Sequence, residues 1–344
     1  MLEIKHTLCP SCSVGCGINV VLNDGEIVGT FPYKRHPVNA GKNCSNGINS
    51  IDCYQNKFEN ASVSKSETDV EKAIADVSKE LSSADASSVT VICSGNNSLE
   101  EIEAIKDFAE SKNYNIAFYA DDLKDFDAVA SYDDVEGASN VFVIGDILYE
   151  NPLIGRRIVH AKQNGAKIYA LSKVDKSVTL NIADESSNGS VQEFLDNNNA
   201  NIDESSVIVF NYVDAQEDLD KIEAAGCKVL PVFSKSNTKG ALKIVDPKSE
   251  EEIIELLDNT KLLLVFNDDV VEDIDFDFGK ISKIISFAEC ENETTKISDI
   301  IIPIKTWLEK DGSFVNAMGE NQAFKAVVES DALSEIEIIG KLNG

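Results

Sequence analysis

Cys9-Pro10-Ser11-Cys12-Ser13-Val14-Gly15-Cys16-Gly17, completed by Gly41-Lys42-Asn43-Cys44, is the stretch from which the rest of the chain is read. Three thiols fall within eight residues and a fourth follows at Cys44. Thiolates are soft ligands that favour zinc or iron–sulfur centres, and a 4Fe–4S cubane needs one protein ligand at each of its four irons. Structural zinc sites usually pair two short Cys-x2-4-Cys knuckles, so a compact three-cysteine loop with one distant cysteine suits a cubane better. Ser11, Ser13, Gly15 and Gly17 are small enough to let the backbone wrap close to an inorganic core and aim N–H groups at its sulfides. The expectation is one 4Fe–4S cluster on Cys9, Cys12, Cys16 and Cys44; zinc, disulfides and buried structural thiols are the alternatives.

The 344 residues are enough for two or three domains, and 43% hydrophobic with 26% charged content is that of a globular protein. Sixty acidic against 31 basic residues give a net charge of -29, which repels phosphate backbones and anionic lipid and so argues against nucleic-acid or membrane-surface binding. The N-terminus carries no apolar signal core or twin arginine, and no apolar run reaches the roughly 18 residues of a spanning helix, so a cytoplasmic location is expected. Cys53, Cys93, Cys227 and Cys290 are scattered singly and read as small buried or half-buried hydrophobes.

Outward from the cysteine loop, 17–22 and 26–30 flank Asn23-Asp24-Gly25, a strong turn signal that predicts a hairpin. Residues 1–60 are expected to form a small cluster-bearing β domain. Val70, Ala73, Ile74, Val77 and Leu81 then share one helical stripe. Short apolar strands alternate with amphipathic helices from 89–93 onward, and Asn151-Pro152 makes a good helix start. Such alternation predicts parallel sheets covered by helices. The fold expected is therefore α/β, with the small β domain followed by two Rossmann-like domains at 61–190 and 191–344, the polar segment 186–201 being their seam.

The pattern Cys-x2-Cys-x3-Cys-x27-Cys followed by Gly47 resembles the N-terminal iron–sulfur domain of the molybdopterin oxidoreductases, such as formate dehydrogenase catalytic subunits, and that of the related large subunit of respiratory complex I. Further stretches are similar in the same order. They are 141–152 with Gly155-Arg156-Arg157 and 162–167, then Ser236-Asn237-Thr238-Lys239-Gly240-Ala241, and finally Glu293-Thr294-Thr295, 298–303 and 307–316.

What the resemblance implies is an electron-transfer subunit of a multi-subunit redox complex, with iron–sulfur or flavin carriers as partner subunits. Full-length members carry a further C-terminal barrel that clasps a molybdopterin guanine dinucleotide, and this chain stops before it, so a truncated homologue without its own metal–pterin site is expected. Where the family places its metal ligand, the chain offers Asp121 and Asp122 in place of a cysteine, read as solvated acids. Where the family often has a lysine beside the cluster, the chain has Asn46, with Lys42 nearby and read as a surface residue. Gly145, Arg156 and Arg157 are the thin signals for phosphate binding. No catalytic residue is assigned, and the cleft is expected to be either filled by side chains or docked against a partner subunit, with 299–316 at that contact. The alternative is a chain of a split Mo/W-bis-pterin formate dehydrogenase, or of an enzyme like formylmethanofuran dehydrogenase, completed by another polypeptide.

Overall fold

The computed structural model describes residues 1–119 and 124–343 and begins with an antiparallel sheet of three strands, β1 (Leu2–Leu8), β2 (Gly17–Asn23) and β3 (Glu26–Pro32), in that order. The turn between β2 and β3 works because Asp24 and Gly25 both take positive φ, 53° and 91°, as a two-residue hairpin turn requires. β1 pairs with β2 from Leu2↔Asn23 to Leu8↔Gly17, so the cysteine loop is the connection at the far end of that ladder.

Next come β4 (Ala61–Val63), β5 (Ser66–Thr68) and the helix Val70–Ser83, whose Asp69 cap accepts from the Lys72 amide at 2.8 Å and whose buried face is Ala73, Ile74, Val77 and Leu81. β6 (Val89–Cys93), the helix Leu99–Ser111 and β7 (Asn115–Phe118) follow, the helix opened by a capping box between Ser98 and Glu101. The chain then builds β8 (Asn140–Ile144), β9 (Lys167–Leu171), β10 (Glu185–Ser187), β11 (Ser206–Phe210) and β12 (Lys228–Pro231). β13 (Leu262–Phe266), β14 (Lys283–Ala288) and β15 (Ile300–Pro303) come later, then the ribbon β16 (Gly312–Val315) and β17 (Asn321–Phe324).

The expected α/β class is observed, with the strands sorted into a parallel five-stranded sheet, β10-β9-β8-β11-β12, and a seven-stranded sheet, β5-β4-β15-β14-β13-β6-β7, parallel except at its β4–β5 edge. The division at 190 is not the division of the sheets. The larger sheet takes β6 and β7 from before the smaller one and β13 to β15 from after it, and the expected seam at 186–201 holds β10 and the helix Val191–Asn198. Local alternation signals each strand–helix unit but not which strands pair. Leu262-Leu263-Leu264-Val265-Phe266 is buried on both faces and fits only a sheet interior, so it seats between β6 and β14.

The cysteine module has no core of its own. Cys9, Val14, Cys16, Ile18 and Val20 share one apolar cluster with Tyr132, Val141, Val143 and Ile158 of the smaller-sheet unit and with Trp307, Leu308 and Ala317. The 299–316 segment is mostly interior: Thr306 and Leu308 are fully buried and Trp307 nearly so, while Asp311 is exposed.

Cys93 and Cys227 are buried free thiols, as expected, but Cys53 and Cys290 are joined by a disulfide. Their separation of 237 residues hides the pairing from any local pattern. Among the described residues, no helix is long and apolar enough to cross a membrane.

Candidate metal centre

The loop between β1 and β2 is closed at its base by the Cys9 amide, which donates to the Cys16 carbonyl at 2.8 Å. Its interior is fastened by three remote parts of the chain. Ser13, fully buried, exchanges hydrogen bonds with Phe233, its amide donating to the Phe233 carbonyl at 3.1 Å and its Oγ accepting from the Phe233 amide at 2.8 Å. The Ser13 carbonyl accepts from Ala317 at 2.7 Å, and Tyr132 Oη donates to the Val14 carbonyl at 2.7 Å. Gln322 Nε2 reaches the Gly15 carbonyl at 3.2 Å. Gly15 has φ +73°, and a Cβ there would collide with Gln322 Oε1 and Asn316 Cβ, so this position requires glycine on two counts.

The fourth cysteine is delivered by the fold-back of 33–44 onto Gly17. The Gly17 amide donates to His36 Nδ1 at 3.1 Å and to Asn39 Oδ1 at 3.0 Å, while Asn39 Nδ2 returns bonds to the carbonyls of Gly17 and Lys42. Cys44 then caps the short helix Ser45–Ile48, its Sγ accepting from the Gly47 amide at 3.5 Å.

Cys9, Cys12, Cys16 and Cys44 thus line one cavity, together with Ser11, Val14, Asn43, Asn46 and 150–153. Among the described residues, no group of three or more Cys, His, Asp or Glu side chains is set for a single metal ion. Burial, and then the neighbouring sulfurs, push the Cys16 thiol well up and the Cys12 thiol up to about 12; Cys9 is raised chiefly by burial. Such a donor set ionises only against positive charge, which is what a metal centre supplies, so the residues present fit a thiolate-ligated cluster.

A larger cleft of ≈ 520 Å³ abuts the first and shares Ser11, Cys12, Asn46, Glu150 and Asn151 with it. Aromatic side chains Tyr119, Tyr149, Phe210, Tyr212 and Phe233 line it, with Lys235 and Asp273. Lys235 is tied to Asp268 at 2.5 Å and to Asp273; burial opposes its charge, but the two carboxylates hold its pKa up. Glu150 is pushed up by burial and by Asp146. The cleft's one lysine is thus neutralised twice over, beside a further acid.

Gly145 does take the positive φ of a tight strand end, +107°, but the Asn211 side chain sits against it, and Asp146 is occupied by Ser177 Oγ at 2.7 Å and the Thr179 amide at 2.9 Å. Arg157 is a structural cation, bonded to Glu136 at 2.6 Å and to the Val38 carbonyl at 3.3 Å; Arg156 lines neither cavity. Asn46 lines both, whereas Lys42 is exposed and lines neither. Asn237 is a brace: its amide and Nδ2 donate to Gly95 and Asn97, and its Oδ1 accepts from Val315. Asp121 and Asp122 lie outside the described residues. Sequence reading missed Tyr132, His36 and Asn39, which hold the loop, and the Lys235 pairings, because none of these lies in a local motif.

Comparison with known proteins agrees with this layout. Residues 2–56 match the molybdopterin oxidoreductase Fe4S4 domain, and residues 280–342 match molybdopterin oxidoreductase. The F420-dependent formate dehydrogenase 1 subunit alpha of Methanococcus maripaludis is 31% identical over 191 residues, 49% of this chain and 28% of that protein. The F420-dependent formate dehydrogenase 2 subunit alpha of the same organism is 24% identical over 471 residues, 99% of this chain and 70% of that protein. That alignment is longer than the 344 residues here, so the relative carries internal segments this chain lacks. Among solved structures, acetylene hydratase from Pelobacter acetylenicus superposes with a TM-score of 0.68 at 11% identity, over 98% of this chain and 68% of that one. The formyltransferase/hydrolase complex (FhcABCD) from Methylorubrum extorquens gives 0.58 at 11% identity, over 82% of this chain and 97% of the other.

Proposed function

We propose, for a chain that carries Fe4S4 and molybdopterin domains of the molybdopterin oxidoreductases and is homologous to formate dehydrogenase alpha subunits, that it serves as an electron-transfer subunit of a larger redox complex. The observation that carries this reading is the gathering of Cys9, Cys12, Cys16 and Cys44 around one cavity. Those four residues would hold one 4Fe–4S cluster, which when bound accepts and passes single electrons. The chain's part is to fix the potential and keep water away. Gly47 N–H at Cys44 Sγ and the Ser11 hydroxyl, 3.4 Å from Cys9 Sγ, can donate to thiolates there, and each such donor stabilises the more negative, reduced state.

The adjoining cleft supports the lack of a complete metal–pterin site. A dinucleotide pterin brings phosphates, and the cleft meets them with a lysine already held by two carboxylates and with Glu150. The net charge of -29 would steer a basic partner face, another subunit carrying an iron–sulfur or flavin group, in the cytoplasm. The second reading, a chain of a split Mo/W-bis-pterin formate dehydrogenase or formylmethanofuran dehydrogenase-like enzyme, is favoured by one observation: the cleft lies directly against the cysteine loop, through Ser11 and Cys12.

Elemental analysis of anaerobically purified protein separates the two. Iron and sulfide near four per chain without molybdenum or tungsten is the result expected of a single-cluster carrier. Stoichiometric Mo or W with organic pterin, and formate-dependent dye reduction by this chain, would replace that reading with the second.

A further inference from the structure

Cys53 and Cys290 are joined across 237 residues, with their Cα atoms 5.7 Å apart. Cys53 lies in the short helix Asp52–Gln55, soon after Cys44, and Cys290 follows the end of β14. The bond therefore clips the cysteine module to the larger sheet. Beside it, Lys57 and Cys290 form a backbone bridge, the Phe58 amide donates to the Glu289 carbonyl at 2.9 Å, and Lys57 pairs with Glu309. Both cysteines are half-buried, within reach of a small thiol.

The residue next to Cys290 in the chain is Glu289, and its carboxyl turns to the bond: Oε2 lies 3.7 Å from Cys53 Sγ, while Oε1 accepts from Asn267 Nδ2 at 3.2 Å. The charged groups facing Glu289 are Lys310, Glu101 and Glu309, with Glu335 beyond on the far side of Lys310. Burial raises the Glu289 carboxyl to about 7, with Lys310 opposing the rise. Glu101 and Glu309 are held in the opposite direction, below the usual carboxylate range, against the pull of burial, by Lys310 and Lys57 respectively. A carboxyl that exchanges its proton near neutral pH thus sits against one sulfur of a half-buried disulfide.

We propose that Cys53 and Cys290 form a thiol–disulfide exchange site, reduced by a dithiol, in which the Glu289 carboxyl gives its proton to Cys53 as that sulfur leaves. One thiolate of the reductant attacks Cys290 Sγ; the Cys53–Cys290 bond breaks, and its electron pair goes to Cys53 Sγ, which takes the proton from Glu289. The second thiolate of the reductant then attacks the mixed disulfide and expels Cys290, which is protonated from water. The reductant departs as a disulfide, two electrons have passed, and Glu289 regains its proton from solvent. Opening the clip leaves the chain after Asp52–Gln55 held at the end of β14 by the Lys57–Cys290 bridge and the Phe58–Glu289 backbone bond, and to the 304–311 connection by the Lys57–Glu309 pair. The site shares no residue with the four-cysteine cavity, so it stands or falls independently of the cluster.

The test uses the whole protein, purified without reductant, equilibrated with mixtures of reduced and oxidised dithiothreitol, then alkylated and mapped by mass spectrometry. A Cys53–Cys290 linked peptide pair that opens with dithiothreitol is expected. Its opening rate, divided by the dithiothreitol thiolate concentration, should fall several-fold as pH rises through about 7. Glu289→Gln should flatten that profile while the pair still forms. Should that variant not fold, Asn267→Ala, which removes a bond favouring the ionised carboxyl, should move the midpoint upward in pH. Cysteines that stay fully alkylatable in oxidised dithiothreitol, a wild-type profile in Glu289→Gln, or an unmoved midpoint in Asn267→Ala would each overturn the proposal.

Discussion

Tyr132 Oη donates a 2.7 Å hydrogen bond to the backbone carbonyl of Val14, midway between Cys12 and Cys16, and so ties the helix Tyr132–Gly137 to the centre of the cysteine loop. Burial, and then the nearby Cys16 and Cys12 sulfurs, raise its pKa well above the ordinary tyrosine value, which keeps the hydroxyl a donor. Tyr132→Phe retains the ring in the core but leaves the Val14 carbonyl without this partner, at a cost of about 1–3 kcal/mol. A lower urea midpoint and faster iron loss to a chelator than in the wild type are expected.

Cys16→Ala should abolish or convert the visible absorption and the EPR signal of the reduced protein. Cys93→Ala and Cys227→Ala should keep both, since these buried thiols face apolar clusters away from the cavity. A wild-type spectrum in Cys16→Ala would remove it from the ligand set.

Gly15→Ala combines a left-handed backbone, φ +73°, with a Cβ directed into Gln322 and Asn316, and should lower stability by about 1–3 kcal/mol. Gly29→Ala is the matched control, because a Cβ there meets nothing within 4 Å. Thermal melts of the two variants side by side give the comparison; equal melting temperatures would show that the loop yields at Gly15.

Lys310 is buried and paired with Glu101 at 2.6 Å and Glu335 at 3.1 Å. Burial pushes both acids up, but Lys310 brings Glu101 below its ordinary value of 4.5 while Glu335 stays well above it. Because the folded-state pKa of Glu101 is depressed, its contribution is present above the unfolded value and lost as pH falls. Lys310→Met removes that contribution and leaves a buried carboxylate unpaired, costing about 3–5 kcal/mol at neutral pH. The gap between variant and wild type in urea midpoint should therefore narrow as pH is lowered through about 4.5.

Sequence reading reached the local features and stopped at the long-range ones. The hairpin at Asp24-Gly25, the helix stripe from Ala73 to Leu81 and the apolar strands are each written in adjacent residues, and each is found. The gathering of Cys44 with the three loop cysteines followed from ligand spacing, but the means did not: Asn39 and His36 fold the chain back through bonds to the Gly17 amide, and neither belongs to a recognisable pattern. The pairing of β13 with β6, the Cys53–Cys290 bond and the double capture of Lys235 all join residues far apart in sequence. Side-chain periodicity reports which face of an element is apolar and carries no record of the partner that covers it.

The interleaving of the two sheets also sets an order of events at the ribosome. β8 to β12 lie in one continuous stretch, so the smaller sheet has every strand it needs once residue 231 has emerged. β6, by contrast, ends up between β7 and β13, and β13 begins only at residue 262. At typical synthesis rates the interval from residue 93 to 262 lasts on the order of ten seconds, during which one edge of a strand that is fully buried in the finished fold has no neighbour. The nascent chain thus carries a finished small sheet beside an open large one, and that exposed edge of β6 is where chaperone capture or strand-to-strand aggregation would act first.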